Sequence, residues 1–469
     1  MDLERICEIV ARRETPSLKE ERAVLKVAEW LMDRIREEAL KEGLEVEVSL
    51  EGSLAKGTWL KTEPEIDIFI HLPPSFPREE FGGKVMEISK RATSGFRSME
   101  RYAEHPYLEA FVEGYRVNIV PCYIVEKGSW LSATDRTRYH TLYVKERLSD
   151  EGKREVRLLK RFMKGIGAYG AEIKTGGFSG YLCELLIIYY GSFINTLSAA
   201  SKWHSKELLD LEDYYPKTEE AFKLFGERLI FIDPVDKFRN VAAGVREDKK
   251  SIFTVASRVF IKKPRIEFFY PPKIKPLSPP DLKRSILRRG STLIFIKFLK
   301  ENVVPDIIWG QLFKAEKALS SLLERYDFKP IKSAVWSDER KLHIFLLEVE
   351  SHTLPNIVKH IGPPVSKMEH SENFLKKHLK AEDTISGPTV EGDRWIVYKK
   401  RKYTDAVGLL KDNLSDGGRS IGIPEGLADA LKLSMEFYLN MEIFNLYNSN
   451  LKFAEFLTEY LRGRPNWLE

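Results

Sequence analysis

The sequence predicts a multidomain protein of the α+β class. The chain has 469 residues, which is more than one hydrophobic core ordinarily organises, so two to four domains are expected. Helical and strand periodicities occupy separate stretches of the first 145 residues, and a β-α-β-β order appears after residue 290. Between these regions the apolar pattern is mostly helical. The combination favours several mixed domains over one continuous sheet.

The composition is that of a globular protein with a charge-rich surface. Hydrophobic residues make up 43% of the chain and charged residues 31%. The net charge of +5 is too small to indicate nucleic-acid binding by itself, so local clusters must decide. The sequence has no apolar stretch of signal-peptide or membrane-spanning length, which predicts a cytoplasmic protein with no membrane partner. Its three widely spaced cysteines suggest neither a disulfide framework nor a zinc site.

The first domain is predicted to contain two helices and several strands. A Ser start signal precedes an amphipathic helix over 17–40, and a second helix is expected over 78–94. Three segments are rich in β-branched residues and either alternate apolar with polar residues or are apolar throughout, as half-buried strands are. They are EVEVSL at 45–50, EIDIFIHL at 65–72 and RVNIVPCYIV at 116–125.

The remainder is predicted to be a helical neck followed by an α/β region. Two helices are expected from Ser149 to about Lys202, the second apolar all round and hence buried. Pro and Lys crowd residues 261–290, which indicates a linker or exposed boundary. The next elements are a strand at STLIFIKFL, a helix over 306–325, and strands at KPIKSAVWS and KLHIFLLEV. This order is part of a ferredoxin-like or RNA-recognition-like pattern. Residues 424–462 are expected to be helical again.

The most specific motif is Gly52-Ser53 followed, after eleven residues, by Glu65-Ile66-Asp67 on a predicted strand. The period of two places both carboxylates on one strand face, two rises of about 3.3 Å apart, within reach of a common pair of divalent metals. The Gly-Ser turn lets backbone N–H groups and a hydroxyl approach phosphate. An acidic strand face is more often simply solvated. Here, however, it lies in an apolar strand, where adjacent carboxylates repel unless a cation neutralises them.

With these motifs in place, the chain resembles the nucleotidyltransferase superfamily that includes DNA polymerase β, and within it the archaeal, class I CCA-adding enzymes. The resemblance runs in order through most of the chain. It is carried by GSLAKGTWLKTEPEIDIFIHLP, YAEHPY, NIVPCYIV, ATDRTRYHTLYV, EVRLLKRFMKGIGAYGAE, TGGFSGYLCELLIIYYGSF and DPVDKFRNVAA, and more faintly by VKHIGPPV and RWIVYKKRKYTDA.

The resemblance implies four parts and an activity. These parts are a polymerase β-like head at 1–148, a helical neck for nucleotide recognition at 149–260, an RNA-recognition-like body at 261–351 and 421–469, and a tail at 352–420. Body and tail are expected to bind tRNA at its acceptor stem and 3′ end. The implied reaction adds C, C and A to that end from CTP and ATP with two Mg²⁺ ions, without a template. The resemblance also leaves room for a homodimer.

The same resemblance implies residue roles. Glu65 and Asp67 look like metal ligands and catalytic residues, and they are expected to face a cleft between the head and the neck. A larger group is expected to bind the nucleotide: Gly52, Ser53 and Lys56 in the triphosphate turn, Thr137 and His140 in DRTRYH, Lys160 and Tyr169 at the triphosphate and sugar, and Arg239 at the base.

Simpler interpretations exist for several of these residues. A lone His140 is more often a packing residue, and Arg239 could pair locally. Lys160 shares a helix face with Arg157 and Lys164 that could be solvated. The apolar helix with Tyr181, Cys183 and Tyr189 is interpreted as core.

One residue departs from the family pattern. The third carboxylate of the family lies before Val-Pro-Cys-Tyr, where this chain has Asn118. An amide is a poorer metal ligand than a carboxylate and cannot act as a base, so we expect attenuated catalysis with binding nearly retained. Three explanations compete. The first is an engineered trap variant, the second a catalytically impaired tRNA- and nucleotide-binding paralogue, and the third a working enzyme in which another group compensates.

Three basic clusters are candidates for tRNA contact. They are Lys262-Lys263-Pro264-Arg265, Lys283-Arg284 with Arg288-Arg289, and Lys399-Lys400-Arg401-Lys402. Basic runs are usually solvated loops, but the third lies beside Trp395, Tyr398 and Tyr403, and aromatic neighbours suit backbone and stacking contacts with RNA. The third cluster is therefore assigned to RNA.

Overall fold

The computed structural model of the protein describes residues 2–102 and 105–468. Ala103 and Glu104, within the YAEHPY segment, lie outside the described residues. The described chain contains many helices and several sheets, which confirms the multidomain α+β class. It forms two compact units: Met1–Lys273 with Val304–Asp306 and Arg464–Glu469, and Ile274–Val303 with Ile307–Gly463.

The first unit holds the head and the neck. Its helices are α1 (Leu3–Glu14), α2 (Leu18–Lys41), α3 (Gly52–Lys56), α4 (Lys84–Ala92), α5 (Thr137–Arg147), α6 (Asp150–Gly165), α7 (Gly180–Tyr190), α8 (Phe193–Ala200), α9 (Thr218–Phe225) and α10 (Glu247–Lys262). Its strands are β1 (Glu47–Glu51), β2 (Glu65–Leu72), β3 (Arg97–Tyr102), β4 (Pro106–Val112), β5 (Tyr115–Tyr123), β6 (Glu207–Leu209), β7 (Leu229–Asp233) and β8 (Asp236–Asn240).

A five-stranded sheet in the order β1-β2-β5-β4-β3 forms the head. Its β2 and β5 are parallel, and the other neighbouring pairs are antiparallel. The alternation of β2 explains the layout, because Ile66, Ile68 and Ile70 enter a core shared with α2 and α4. The residues between them face the other way. The predicted helix at 17–40 is confirmed as α2, with Ser17 as its N-cap in a capping box.

The neck core is a cluster of aromatic side chains around Phe162. Its ring contacts those of Phe193, Phe260, Phe268 and Phe269 within ring-centroid distances of 5.4–5.8 Å. Phe268 and Phe269 come from the segment expected to be a linker. Because both are fully buried here, the first unit extends to Lys273, beyond the expected neck boundary at 260.

Two further differences concern the head and the neck. Helix α1, expected in the head, packs its Ile6 and Val10 into the neck core. The neck is also not purely helical, since β6, β7 and β8 form a three-stranded sheet. The strands are short and few of their residues alternate, so sequence periodicity does not predict them.

The second unit holds the body and the tail. Its helices are α11 (Pro279–Arg289), α12 (Pro305–Arg325), α13 (Met368–His378), α14 (Ala406–Leu414), α15 (Glu425–Ser434), α16 (Phe444–Ser449) and α17 (Leu451–Arg462). Its strands are β9 (Thr292–Leu299), β10 (Pro330–Ser337), β11 (Leu342–Val349), β12 (Ile357–Pro364), β13 (Thr384–Glu391), β14 (Arg394–Lys400) and β15 (Glu436–Leu439).

The body contains the predicted β-α-β-β order within an antiparallel sheet, β10-β11-β9-β15. The edge strand β15 lies inside the stretch 424–462 that was expected to be helical, and it pairs with β9. A separate sheet, β12-β14-β13, forms the tail. Helix α14, expected in the tail, instead buries Leu409 and Leu410 in the body core, so the tail ends earlier than residue 420.

Among the described residues, no single helix is long and apolar enough to cross a membrane. Helices α7 and α8 meet the length and composition criteria only when taken together, and they are bent by 94°.

Candidate active site

The acidic part of the site lies on the solvent-side face of β2 and β5. Strand register pairs Glu65 with Arg116 and Asp67 with Asn118. An ion pair joins Arg116 to Glu65, and Asn118 Nδ2 donates a hydrogen bond to Asp67 Oδ1 at 2.9 Å. Glu65 and Asp67 are two residues apart on β2, and their partners Arg116 and Asn118 are two residues apart on β5. Glu65 and Asp67 therefore share one face of the sheet. The predicted pair of carboxylates is therefore present, with Asn118 beside it.

Gly52 begins α3 directly against Asp67. Its φ is +66°, in the left-handed region that favours glycine, and a Cβ placed there would lie 2.0 Å from Asp67 Oδ2. Any other residue would therefore displace this carboxylate. The glycine at this position lets the backbone of the turn approach the acidic face.

Burial makes this acidic face dependent on positive charge. It raises the pKa of Asp67, although the Asn118 hydrogen bond and the charge of Lys56 act in the opposite direction. It also raises the pKa of Glu65, against the effect of Arg116. A bound cation would favour the charged form of both groups.

The donor set is sufficient for a metal ion that is shared with a phosphate. Nowhere in residues 2–102 and 105–468 do three or more His, Cys, Asp or Glu side chains gather in a way that could hold an ion. Glu65, Asp67 and the amide of Asn118 supply two carboxylates and one weaker ligand. Because Mg²⁺ is commonly held by one or two carboxylates together with substrate phosphates, these residues fit such an ion.

A basic cluster lies beside the acidic face. Lys56 Nζ donates to Glu184 Oε2 at 2.5 Å, and Lys160 Nζ donates to Glu184 Oε1 at 2.9 Å. Lys160 also donates to Thr58 Oγ1 at 3.1 Å and to the Thr58 carbonyl oxygen at 3.3 Å. With 7% and 2% of their side chains exposed, Lys56 and Lys160 are buried. The solvated-face interpretation of Lys160 is therefore wrong.

The neighbours of Lys160 on the same helix are also engaged. Arg157 donates to the carbonyl oxygens of Trp59 and Gly57, at 3.1 Å and 2.6 Å. Lys164 forms an ion pair with Glu63 at 2.7 Å. The basic face of α6 thus binds the head segment that follows α3.

Tyr169 lies at the edge of this basic cluster. A Cβ placed on Gly180 would come 2.9 Å from the Tyr169 hydroxyl and 3.4 Å from Lys160 Nζ, so both polar atoms approach the start of α7. The ammonium of Lys164 lies 4.4 Å from the Tyr169 ring centroid. Tyr169 and Lys160 thus lie close together, and their expected roles at the sugar and the triphosphate remain predictions.

A second polar cluster surrounds Asp233 at the end of β7. Its fully buried carboxylate binds His140 Nε2 at 2.8 Å and Arg239 Nη1 at 2.6 Å, both through Oδ2. Tyr181 donates to Oδ1 at 3.3 Å, and its ring stacks on that of His140 with centroids 4.0 Å apart. Thr137 begins the same helix as His140, three residues earlier, and is half-buried.

Charges in this second cluster are balanced. Burial would raise the pKa of Asp233, but its contacts with His140 and Arg239 lower it below its usual value. Burial lowers the pKa of His140, against the effect of Asp233. The arrangement therefore joins a carboxylate, a guanidinium and an imidazole through hydrogen bonds.

Arg239 also lines a cavity of about 490 Å³, which lies within the size range of small-molecule sites. Arg136 and Ser179 contribute to the wall, together with the ring of Phe238, which is 70% exposed. The guanidinium of Arg239 is half-buried in this wall, and its N–H donors lie in one plane. It is therefore suited to hydrogen-bond the polar edge of a planar ligand.

Sequence reasoning missed two central carboxylates. Glu184 is the single acid in the apolar segment GFSGYLCELLIIYYGSF, and a buried acid in an apolar helix requires a partner. Asp233 ends an apolar strand before DKFRN, which is a weaker signal. Tyr181, interpreted as core, contacts the Asp233 cluster, whereas Cys183 is buried as expected.

A basic groove of about 250 Å³ lies within the second unit. The lining of this groove includes Arg325, Lys359, His360, Lys399, Arg401 and Tyr403. It contains the third basic cluster of the sequence. In the second cluster, Arg289 forms a two-point ion pair with Glu348 at 2.7 and 2.9 Å, while Lys283, Arg284 and Arg288 are exposed.

Three families of protein domains match the chain. They are the nucleotidyltransferase domain over residues 32–144, the second domain of tRNA nucleotidyltransferases over 154–270, and the C-terminal domain of CCA-adding enzymes over 289–434. The matches follow one another along the chain and extend over both compact units.

Whole proteins are similar as well. The chain is 40% identical to the CCA-adding enzyme of Methanosarcina acetivorans over 402 residues, covering 85% of this chain and 87% of the relative. It is 37% identical to that of Methanothermobacter thermautotrophicus over 86% of this chain and 87% of the relative. Similarity to the CCA-adding enzyme of Haloarcula marismortui, at 33% identity, covers 97% of this chain and 98% of the relative.

Proposed function

The chain belongs to the CCA-adding enzyme family of tRNA nucleotidyltransferases, and from that premise we propose that it adds C, C and A to the 3′ end of tRNA from CTP and ATP. Membership confirms the family predicted from the motifs. The observation that carries the proposal is that an acidic strand face lies within electrostatic range of a buried basic cluster. Asp67 lies against Gly52 and is buried within the electrostatic range of Lys56 and Lys160. Negative and positive side chains therefore lie close to each other in this part of the site. A metal-bound triphosphate needs that combination.

We assign the triphosphate to the basic side. Lys56 and Lys160 supply charge, while Gly52 and Ser53 supply a turn whose backbone can approach phosphate oxygens. Tyr169, beside Lys160, is assigned to the sugar. Each ammonium is already oriented before substrate arrives, which reduces the ordering cost of binding.

Glu65, Asp67 and Asn118 are proposed to hold Mg²⁺ together with phosphate oxygens. When bound, Mg²⁺ would stabilise negative charge on the attacking and leaving oxygens of an in-line displacement. The protein residues orient the triphosphate and keep it against the acidic face. The 3′ hydroxyl of tRNA displaces pyrophosphate from the nucleotide, forming one phosphodiester bond and breaking one phosphoanhydride bond.

Base selection is assigned to the Asp233 cluster. Arg239 presents planar donors to the cavity, and Asp233 fixes one of its nitrogens. His140 and Thr137, on one face of α5, complete the contacts to the nucleotide. Because the donors are protein groups, selection between CTP and ATP needs no template strand.

Asn118 is expected to slow the reaction more than it weakens binding. Its amide donates to Asp67, where a carboxylate would instead add a third anion and a proton acceptor. Losing a general base typically costs about two to four orders of magnitude in rate. The ground state loses less, because the lysines and the two carboxylates remain.

The basic groove of the second unit is proposed to contact the tRNA backbone. Lys399 and Arg401 bring positive charge, and Tyr403 offers a ring for stacking. Both cations already pair with acidic residues, Lys399 with Asp383 at 2.7 Å and Arg401 with Asp327 at 2.5 Å. Phosphates would therefore exchange with exposed carboxylates, which predicts a salt-dependent affinity.

Incorporation of labelled nucleotides tests the proposal. The full chain and Asn118→Asp are incubated with tRNA lacking CCA, Mg²⁺ and either CTP, ATP or both. We expect two C residues with CTP alone and a terminal A only when both nucleotides are present, with a slower reaction in the unaltered chain.

The same assay tests a noncatalytic alternative, which the amide at position 118 favours. A chain that binds tRNA and nucleotide but adds nothing, while Asn118→Asp adds CCA, would be an impaired paralogue. No addition by either protein would contradict the proposed function.

A further inference from the structure

Glu184 is an isolated acid in the middle of α7. Its side chain is 1% exposed, and its neighbours Leu182, Cys183, Leu185 and Leu186 are apolar core residues. An ionised carboxylate in such surroundings is strongly disfavoured unless it is paired and hydrogen-bonded. The structure supplies both kinds of partner.

Three groups from α3, from the turn after it and from α6 converge on this carboxylate. Lys56 at the end of α3 contacts Oε2, whereas Lys160 of α6 and the Thr58 hydroxyl contact Oε1 at 2.9 and 2.5 Å. Burial would raise the pKa of Glu184, but Lys160 and Lys56 together lower it to about 2. Glu184 is therefore an anion in the folded protein at neutral pH.

The charge balance of this cluster is uneven. Two ammonium groups share one carboxylate, which leaves one positive charge in a buried space beside Asp67. Without Glu184, two buried ammonium groups would face each other uncompensated, and they would move apart or lose a proton.

Each of the two ammonium groups can still donate to a phosphate oxygen. An ammonium has three N–H groups, and Lys56 uses one of them on Glu184. Lys160 uses its three on Glu184 and Thr58, the longest of these contacts being 3.3 Å to the Thr58 carbonyl oxygen. A phosphate oxygen can replace that longest contact while the shorter ones persist.

We propose that Glu184 is a positioning residue for nucleotide binding, because its single carboxylate holds the ammonium groups of Lys56 and Lys160 in the orientation that receives the triphosphate. This inference rests on the proposed function and deepens it. Glu184 touches no substrate. It acts through the two lysines, and it also joins the turn that follows α3 to the neck helices α6 and α7.

Equilibrium binding of CTP and of ATP, each with Mg²⁺ and without tRNA, tests the inference in the full chain. Glu184→Gln keeps the shape but removes the charge, so we expect both nucleotides to bind about tenfold more weakly or worse. The loss should be the same for CTP and ATP, because the triphosphate is common to both. Glu184→Asp keeps the charge on a shorter side chain and should recover part of the affinity.

Glu155→Gln is the matched control. Glu155 is another buried acid of the neck, but it accepts from the Phe193 N–H at 2.9 Å and pairs with Arg154 at 3.3 Å, away from the two lysines. Thermal unfolding is measured for every variant. We expect Glu155→Gln to alter the melting temperature with unchanged nucleotide affinity, and tRNA affinity to stay constant in both glutamine variants.

Each outcome is decisive. Unchanged or tighter nucleotide binding by Glu184→Gln would overturn the inference and make Glu184 a structural ion-pair partner or a competitor of the triphosphate. If the glutamine variant does not fold, the folded Glu184→Asp decides by the same comparison, with weakened binding expected and unchanged binding overturning the inference. Failure of the unaltered chain to bind CTP or ATP would refute the proposed function along with it.

Discussion

The acidic and basic parts of the candidate site differ in how far the fold itself compensates their charges. On the basic side, Lys56 and Lys160 are buried and share the carboxylate of Glu184, so each ammonium group has an anionic partner before any ligand arrives, and one positive charge is left over. On the acidic side, burial raises the pKa of both Asp67 and Glu65. This part would gain from an added cation. The fold alone therefore assembles the basic groups, whereas the acidic face still lacks part of the positive charge that would stabilise its ionised form.

Asn118→Asp tests the acidic side and should have the largest effect. Restoring a carboxylate beside Asp67 adds an anionic ligand and, in the proposed reaction, a proton acceptor near the attacking hydroxyl. Under saturating tRNA and CTP, we expect single-turnover CMP addition to rise about a hundredfold or more. Binding of CTP and of tRNA should change little. Equal rates for the two proteins would show that position 118 is not at the catalytic metal, or that another group has taken over its role.

The junction between the two parts is tested at Gly52. Gly52→Ala would place a Cβ 2.0 Å from Asp67 Oδ2, so the carboxylate must move. Because a displacement of about 1 Å can cost on the order of a hundredfold in rate, we expect a ten- to hundredfold loss of CMP addition.

Gly57→Ala is the control for Gly52→Ala. Gly57 also has a positive φ, +70°, but the atoms nearest to its Cβ would belong to the flexible Lys153 side chain, the first of them at 3.3 Å. Both variants carry the backbone strain, so both should lose some thermal stability. Only Gly52→Ala should lose the rate of addition, and similar activities for the two variants would remove Asp67 placement as the reason for this glycine.

A smaller effect is expected at the Asp233 cluster, for which base selection is proposed. Arg239→Ala removes planar donors from the cavity, and we expect the preference between CTP and ATP to change about tenfold, since a hydrogen bond to a charged group is worth about this much. Its contribution to tRNA affinity is one charge among many. Lys237→Ala removes an exposed charge from the same strand and serves as the control. Equal loss of CTP and ATP use together with a large drop in tRNA affinity would contradict the assignment.

Much of the acidic side was predictable from the sequence because its signal is local. Strand alternation in EIDIFIHL fixes the shared face of Glu65 and Asp67, and the same register brings in Asn118. The partners of Lys160 were not predictable in this way. Glu184 lies 24 residues farther along the chain and Thr58 lies 102 residues earlier, so only tertiary packing brings them together.

Domain limits show the same distinction between local and tertiary signals. The Pro-rich stretch after Lys262 has the composition of a linker, yet Phe268 and Phe269 enter the neck core. The amphipathic pattern of α1 predicts that this segment is a helix. It does not predict which hydrophobic core the apolar face of the helix joins. Sequence patterns therefore predicted element types in this chain better than they predicted the core that each element joins.

The smallest effect is expected at Glu109. Its substitution tests whether a neighbouring carboxylate replaces the one that is missing at Asn118. Strand register places Glu109 opposite Asn118, and Arg116 Nε lies 3.8 Å from its Oε2. Its other oxygen, Oε1, accepts from Arg101 at 3.0 Å, on the side away from Asp67. Because this ion pair already engages the carboxylate, we expect Glu109→Gln to lower thermal stability, as loss of a buried ion-pair partner does, but to change single-turnover CMP addition by less than about threefold.

The double variant Asn118→Asp/Glu109→Gln completes a double-mutant cycle, which measures the coupling between positions 118 and 109. Additive changes in the logarithm of the rate would show that position 109 acts independently of position 118. A large loss from Glu109→Gln in the unaltered chain, but a small one beside Asp at position 118, would contradict our expectation. It would identify Glu109 as the group that replaces the missing carboxylate, because that group is needed only while Asn118 is present.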